Sequence, residues 1–302
     1  MMSTIQALMA GAVDLHVHAS YESPPRRQNM LEVARDALAI GMRAVVFKSK
    51  DTCTADGAGL VNSLVQGITV YGGVTLDYSV GGLNPLAVYS ALQTGAKIVW
   101  MPSFDAAWTI KKVTEGAKGG ARIYQKFLDP NRKVGSGISI LKGGLEGSEL
   151  LPEVREIISL IAEKGAILDT SHLSPGESLI LLKEAKKAGL DRILVTHVNS
   201  DIIGASIEEQ KELARKGAYL EYCFAPCLPS PWRDSQPVQT IIEMINQVGP
   251  EHCVIATDLG RFTYTPPVEG LRMFIAALLL GGIKEKDLEQ MVKINPARLL
   301  GL

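Results

Sequence analysis

The regular alternation of short apolar runs and amphipathic segments restricts the fold of this 302-residue chain more than any other feature. Eight runs rich in valine, isoleucine and other apolar residues predict β-strands, and helical periodicity follows them. The predicted strands begin near residues 11, 44, 69, 98, 167, 193, 218 and 253. Eight such units are the number that closes a (β/α)₈ TIM barrel, so we predict the α/β class with this architecture.

The main alternative within the α/β class is an open, doubly wound sheet. Such a sheet usually has fewer strands and carries a glycine-rich phosphate-binding turn after its first strand. Here Tyr21-Glu22-Ser23-Pro24-Pro25 follows the first strand, and no such turn is present. We therefore predict one barrel domain over residues 1–302, with an insertion at about 105–150. Glycine clusters around Ile138-Ser139-Ile140-Leu141 predict that this insertion, between strands four and five, is a hairpin.

Composition narrows the classes of partner. The formal net charge is −1, which gives no reason to expect a nucleic-acid-binding surface. No apolar run approaches the roughly 18 residues of a membrane helix, and the N-terminus lacks the basic region and cleavage site of a signal peptide. We expect a cytoplasmic, soluble protein with a small-molecule substrate and no nucleic-acid or membrane partner; a homo-oligomer is left open.

The first predicted strand carries two histidines two residues apart. Side chains alternate along a strand, so His16 and His18 leave its same face. Two further histidines, His172 and His197, end predicted strands five and six, and Asp258 ends strand eight. Since the carboxyl ends of barrel strands meet at one mouth, these five side chains are expected to come together. Imidazole and carboxylate ligands suit Zn²⁺ or a similar divalent ion, as one ion or two.

Several of these segments together resemble the amidohydrolase superfamily of metal-dependent hydrolases. They are Asp14-Leu15-His16-Val17-His18, the lone histidines after strands five and six, Asp258, and the closing run Asn295-Pro296-Ala297-Arg298-Leu299-Leu300-Gly301. The run from Leu168 to Pro175 resembles an amidohydrolase-like branch for which the resemblance implies no substrate. The resemblance to the superfamily as a whole implies a reaction in which a metal-bound water cleaves an amide, cyclic amide, lactone or related bond. Asp258 is then a ligand and proton shuttle, and His197 a ligand and catalytic residue.

One departure from the superfamily pattern concerns strand four. Many members carry a carboxylated lysine or a glutamate there to bridge two metals, whereas this strand ends Trp100-Met101-Pro102-Ser103. Lys48, at the end of strand two, offers two alternatives: a carboxylated bridge between two ions, or an ammonium group that binds an anionic substrate. We favour the ammonium group, because a lysine loses its charge only when desolvation and nearby metals act on it.

Arginines near the predicted mouth of the barrel also favour an anionic substrate. Arg26 and Arg27 follow strand one, and Arg261 lies three residues after Asp258. With Lys48 they suggest a substrate that carries a carboxylate or phosphate group, with Lys48, Arg26 and Arg261 as candidate binding residues.

Two other functions compete with a hydrolase of amides or lactones. The first is a phosphoesterase of the polymerase-and-histidinol-phosphatase (PHP) type, which also begins with Asp-Leu-His-x-His. Such sites gather more than the five histidines present here and close with an Asp-x-His pair, whereas this chain has Asp258-Leu259-Gly260. The second is a barrel that binds a metal or metabolite without turnover, which the missing strand-four bridge favours.

Overall fold

The computed structural model describes residues 1–23, 25–115, 137–229 and 235–302. In these ranges, parallel strands alternate with helices, as predicted for the α/β class. The strands are β1 Val13–Val17, β2 Ala44–Phe47, β3 Thr69–Tyr71, β4 Gly73–Thr75, β5 Ile98–Trp100, β6 Ile167–Asp169, β7 Ile193–Val195, β8 Tyr219–Cys223 and β9 Cys253–Ala256.

The α-helices are Met2–Met9, Met30–Ala39, Ala55–Leu64, Pro85–Gln93, Ala107–Thr114, Pro152–Lys164, Pro175–Lys187, Ile207–Arg215, Val238–Val248, Pro267–Leu280, Glu285–Glu289 and Asn295–Leu300. Several begin at side-chain caps that the sequence makes visible, such as Asn29, which forms a reciprocal capping box with Glu32. Within the described residues, no helix is long and apolar enough to cross a membrane.

The strands form two parallel sheets, β1-β2-β3 and β4-β5-β6-β7-β8-β9. Strands β3 and β4 are the two halves of the third predicted strand, and Gly72 separates them. A Cβ atom at this glycine would lie only 2.4 Å from the Thr54 backbone, so a larger residue would push the chains apart. The eight predicted strands are therefore all present, with the third one divided between the sheets.

Backbone hydrogen bonds join the first strand to the segment after the last. The amide of Asp258 donates to the His16 carbonyl at 2.8 Å, and the amide of His18 donates to the Leu259 carbonyl at 2.8 Å. Beside them, buried Asp14 accepts hydrogen bonds from the Thr257 amide at 3.1 Å and from the Thr257 hydroxyl at 2.6 Å. These contacts bring residues from opposite ends of the chain together.

A β-bulge in β1, between Asp14 and Val17, includes His16 and precedes His18. Asp14 pairs with Val45 and Val17 with Phe47, so three steps along β1 oppose two along β2. An extra residue of this kind bends a strand and re-aims the side chains that follow it. Leu15 packs into the inner apolar cluster, which also contains Trp100 and other strand residues. The bulge lies where the strand changes from apolar core to polar site.

Some predicted boundaries were wrong. Strands β6 and β7 end at Asp169 and Val195, so His172 and His197 lie in turns beyond the strands rather than at their last residues. Near the C-terminus, a π-helical segment at Gln290–Ile294 lies between the helices Glu285–Glu289 and Asn295–Leu300. The helix Met2–Met9 was not predicted.

The insertion is described only in part. It contains the helix Ala107–Thr114 and an antiparallel bridge between Leu141 and Leu150. Residues 116–136 lie outside the described ranges. The hairpin expected over about 105–150 therefore stays a prediction.

The hydrogen bonds between Thr257 and Asp14 give a direct test of this junction. Thr257→Val keeps the shape of the side chain but leaves a buried carboxyl oxygen of Asp14 without its hydroxyl donor. We expect the free energy of unfolding to fall by about 1–3 kcal/mol. Thr257→Ser keeps the hydroxyl and should cost less. Urea denaturation of both variants measures the difference, and a valine variant as stable as the serine variant would contradict the assignment.

Candidate metal centre

Two histidines, His16 in β1 and His18 just after it, meet the carboxylate that follows β9 at one end of the strands. The His16 Nε2 atom lies 3.4 Å from Asp258 Oδ1, and the His18 Nε2 atom lies 3.2 Å from the same oxygen. One ligand atom from each of the three residues lies within 4.8 Å of the others. This spacing is compatible with three side chains that share one ion.

His172 and His197 form a second pair beside this group. Their Nε2 atoms are 3.1 Å apart, and the His197 ring stacks on the His16 ring with a centroid distance of 5.8 Å. The structure thus brings together all five residues that the sequence suggested as ligands. Among the described non-glycine residues, positive φ angles occur at Ser171 (48°), His197 (29°) and Asp258 (51°). Backbone strain of this kind is concentrated at functional sites.

In three of the histidines, the ring nitrogen Nδ1 has a polar partner from another residue. The Nδ1 atom of His16 lies 2.9 Å from Glu221 Oε2, and that of His18 lies 3.0 Å from Glu22 Oε2. The Nδ1 atom of His172 lies 3.1 Å from the hydroxyl of Thr109. A hydrogen on Nδ1 leaves the Nε2 lone pair directed into the site, which is the arrangement found around metal-binding histidines.

Thr109 can only accept from His172, because its own hydroxyl hydrogen is committed. The hydroxyl donates to the Ser103 carbonyl at 2.9 Å. The hydrogen between Thr109 and His172 therefore belongs to the histidine Nδ1. Between the two facing Nε2 atoms, the hydrogen then belongs to His197.

The charge states suit a cation. Burial, with a contribution from Lys48, holds the pKa of His16 well below its usual value, and burial lowers the pKa of His197 to about 3. Both rings are neutral at pH 7, and neutral imidazole is the metal-binding form. Burial alone would raise the pKa of Asp258, but His16 and His18 outweigh it and hold that pKa well below its usual range.

Two buried ring nitrogens have no hydrogen-bond partner within the described part of the chain. They are His16 Nε2, which faces Asp258, and His197 Nδ1. A buried polar atom without a partner is costly, and a bound ion would satisfy the His16 nitrogen. The donor set of imidazoles and one carboxylate therefore fits a divalent metal.

Glu22 and Arg26 form a buried pair behind His18. The Arg26 Nε atom donates to Glu22 Oε2 at 2.6 Å, and the Lys50 amide donates to Glu22 Oε1 at 3.0 Å. Burial opposes ionisation of Glu22, but its interactions with His18 and Arg26 place its pKa below the usual range. Arg26, expected as a substrate-binding residue, thus has its Nε committed to Glu22.

The other expected cations differ in position. Lys48 is buried, and its Nζ atom donates to the Ser171 hydroxyl at 3.4 Å, next to His172. The Arg27 guanidinium instead donates to the Tyr264 carbonyl at 3.1 Å. Arg261 lies over the Tyr264 ring, with 5.8 Å between the guanidinium carbon and the ring centroid. Of these three cations, Lys48 is the one whose charged atom contacts the neighbour of a candidate ligand, because Ser171 directly precedes His172.

Sequence reasoning missed the residues that hold the histidines. Glu221 is a charged residue inside the apolar run Leu220–Cys223, and this isolation is a signal that could have found it. Glu22 gave no comparable signal, because it lies in an irregular loop four residues after His18. Thr109 belongs to the insertion, where the strand–helix pattern gives no guide to contacts.

Solved structures of similar fold come from hydrolases. An amidohydrolase from Pseudomonas aeruginosa superimposes with a TM-score of 0.64 at 15% identity, covering 99% of this chain and 97% of that one. An organophosphorus hydrolase from Deinococcus radiodurans gives 0.60 at 15% identity, covering 98% and 94%. A β-aspartyl dipeptidase from Fervidobacterium islandicum gives 0.59 at 14% identity, covering 96% and 72%.

These similarities define the class of fold. The resemblance to the amidohydrolase superfamily that the sequence suggested is confirmed at the level of the fold. Residues 11–221 match the model of a family of unknown function, DUF6282, and the chain belongs to this family. No curated protein matches the chain.

The tautomer of His172 is a testable consequence of the contact with Thr109. Thr109→Val removes the acceptor for the Nδ1 hydrogen, so we expect the single Nδ1–H form to give way to a mixture of tautomers. Long-range ¹H–¹⁵N NMR of the imidazole nitrogens distinguishes the two forms. Thr114→Val, on the same helix but exposed, serves as the control. A His172 spectrum that is unchanged in the Thr109 variant would contradict the assignment.

Proposed function

We propose that this protein is a metal-dependent hydrolase of the amidohydrolase type. It would use a metal-activated water to cleave an amide, cyclic amide, lactone or related bond in a small substrate. The observation that carries the proposal is the convergence of ligand atoms from His16, His18 and Asp258 within 4.8 Å. The engaged Nδ1 atoms of both histidines and the hydrolase structures of similar fold support it.

We also propose that the two sheets act as one closed (β/α)₈ barrel formed by residues 1–302. The short break at Gly72 between β3 and β4 supports continuity on one side. The hydrogen bonds of His18 and Asp258 with the opposite chain segments support closure on the other. In such a barrel, active sites lie at the carboxyl ends of the strands, where the five candidate ligands lie.

His16, His18 and Asp258 are the residues that would hold the ion, and Zn²⁺ is the metal we propose from their chemistry. His172 and His197 lie beside them. His172 could contribute Nε2 to the same ion or a second one, and His197 could do so once its hydrogen moves to Nδ1, which has no hydrogen-bond partner among the described residues. A divalent ion bound here would supply a water molecule with a pKa near 7 and would polarise the substrate carbonyl group.

The chain's own residues supply the proton transfers. Asp258 is ionised at neutral pH, so its carboxylate can accept a proton from the attacking water and return it to the leaving nitrogen or oxygen. His197, as the member of its pair that carries hydrogen on Nε2, would donate it to the substrate oxygen when that oxygen replaces His172 Nε2 as the acceptor, as negative charge develops. His197 is buried and Asp258 is partly buried, and the reduced local dielectric constant strengthens these interactions.

Metal analysis and hydrolysis assays test the proposal together. The purified protein is expected to hold at least one equivalent of divalent metal per chain by mass spectrometry. A panel of amides and lactones should include substrates whose hydrolysis is lost after chelation and restored by Zn²⁺ or Mn²⁺. His16→Ala should lose both metal and activity. His252→Ala, a histidine outside the site, should keep both. Absence of metal, with no activity gained on adding it, would refute the proposal.

Glu221→Gln tests the support of His16 separately. The amide preserves shape but removes the charge opposite the His16 Nδ1 hydrogen, so we expect metal affinity to fall roughly 10- to 100-fold. Glu243→Gln, on the exposed side of the helix Val238–Val248, is the matched control. Competition with a chromophoric chelator measures the affinities, and equal values for Glu221→Gln and wild type would exclude this role.

A further inference from the structure

Lys48 is a buried cation that forms no ion pair within 4 Å among the described residues. The residue is 3% exposed, and its Nζ atom lies 5.5 Å from the centroid of the Trp100 ring. Its hydrogen bond goes to the Ser171 hydroxyl. Across residues 1–23, 25–115, 137–229 and 235–302, no ion pair within 4 Å includes Lys48.

Two other cations, in the segments after β1 and β2, form ion pairs with carboxylates. Arg26 pairs with Glu22 at 2.6 Å, and Lys50 pairs with the adjacent Asp51. Lys48 differs from both: it is more deeply enclosed than Lys50, and no carboxylate of the described residues lies within 4 Å of its amine. Burial of an unpaired charge is costly in free energy, so its retention favours a partner from outside the chain.

The buried carboxyl groups near the site have other donors. Asp169 accepts from the Ser171 amide at 2.6 Å and from the Thr196 hydroxyl. Glu221 Oε2 lies 2.9 Å from His16 Nδ1, and the Cys223 thiol donates to it at 3.4 Å. Neither carboxyl group lies within ion-pair distance of Lys48, although the charge of Lys48 opposes the rise that burial causes in the pKa of both.

We propose that Lys48 Nζ and the Ser171 hydroxyl form a subsite for one carboxylate group of the substrate, an inference that rests on the proposed function. Ser171 accepts from Lys48 and keeps its own hydrogen for a ligand oxygen, so the pair offers one donor for each of the two oxygens of a carboxylate. A phosphate dianion would bring more charge than one lysine neutralises, since Arg26 and Lys50 are already paired. Ser171 directly precedes His172, so a carboxylate held here places the rest of the substrate beside the candidate metal ligands.

Acetate and its neutral isostere acetamide are the probes. Each is titrated at constant ionic strength into the protein as purified, and binding is followed by ¹H–¹⁵N NMR. Wild type is expected to bind acetate and to prefer it to acetamide. Lys48→Met should weaken acetate binding roughly 10- to 100-fold, the usual range for loss of a charged hydrogen bond. Acetate bound directly to a metal remains in the variant, so the difference isolates Lys48.

Two further variants complete the experiment. Lys50→Met removes a nearby charge that is already paired and should leave acetate affinity unchanged. Ser171→Ala should weaken acetate binding less than Lys48→Met does, and it keeps the test available if the lysine variant fails to fold. Metal content measured on the same samples separates the carboxylate subsite from the proposed metal-dependent hydrolase. If the protein is free of metal but Lys48→Met still weakens acetate binding, the hydrolase is refuted and the subsite is supported.

Two outcomes would overturn the subsite. The first is acetate affinity that is absent in wild type or equal in wild type and Lys48→Met. The second is a carbamate signal in ¹³C NMR with ¹³C-bicarbonate that disappears in Lys48→Met, since a carboxylated lysine carries no positive charge.

Discussion

The hydrogen bonds between the first strand and the segment after the last are the constraint on which the site depends. The Asp258 amide donates to the His16 carbonyl, and the His18 amide donates to the Leu259 carbonyl. Gly260 lets the chains approach this closely: its φ angle is +142°, and a Cβ atom there would lie 1.9 Å from the His18 carbonyl oxygen. The three side chains that form the proposed metal group are thus placed by backbone contacts, independently of any ion.

A set of buried polar partners then orients the imidazoles. Glu221, Glu22 and Thr109 each engage one Nδ1 atom, from a strand, a loop and a helix respectively. Burying carboxyl groups costs free energy, and burial raises the pKa of Glu221 to about 7, although Lys48 opposes this. A bound cation would offset this cost by favouring the ionised form. The free-energy cost of burying Glu221 would therefore be smaller with the proposed metal bound than without it.

Periodicity predicted the fold well because burial on both faces of parallel strands leaves continuous apolar runs in the sequence. It placed all eight strands and brought His16, His18, His172, His197 and Asp258 to one end. It could not predict the β1 bulge or the division at Gly72, because both arise from contacts between strands rather than from the local pattern. The turns that carry His172 and His197 were mistaken for strand ends because the β-branched residues Thr170 and Thr196 follow directly after Asp169 and Val195, where the strands end.

The supporting groups were harder to predict for a similar reason. Glu22, Thr109 and Glu221 reach the histidines from three separate parts of the chain, and their spacing carries no common pattern. Lys48 was recognisable from the sequence as a cation at the end of a strand. The sequence could not show that Arg26 and Lys50 have carboxylate partners, whereas Lys48 has none within 4 Å among the described residues.

Anomalous diffraction at the zinc absorption edge, from crystals grown with Zn²⁺, tests the central claim most directly. The account predicts a peak at bonding distance from His16 Nε2, His18 Nε2 and the Asp258 carboxylate. Zinc bound elsewhere, with these three side chains free of it, would contradict the account.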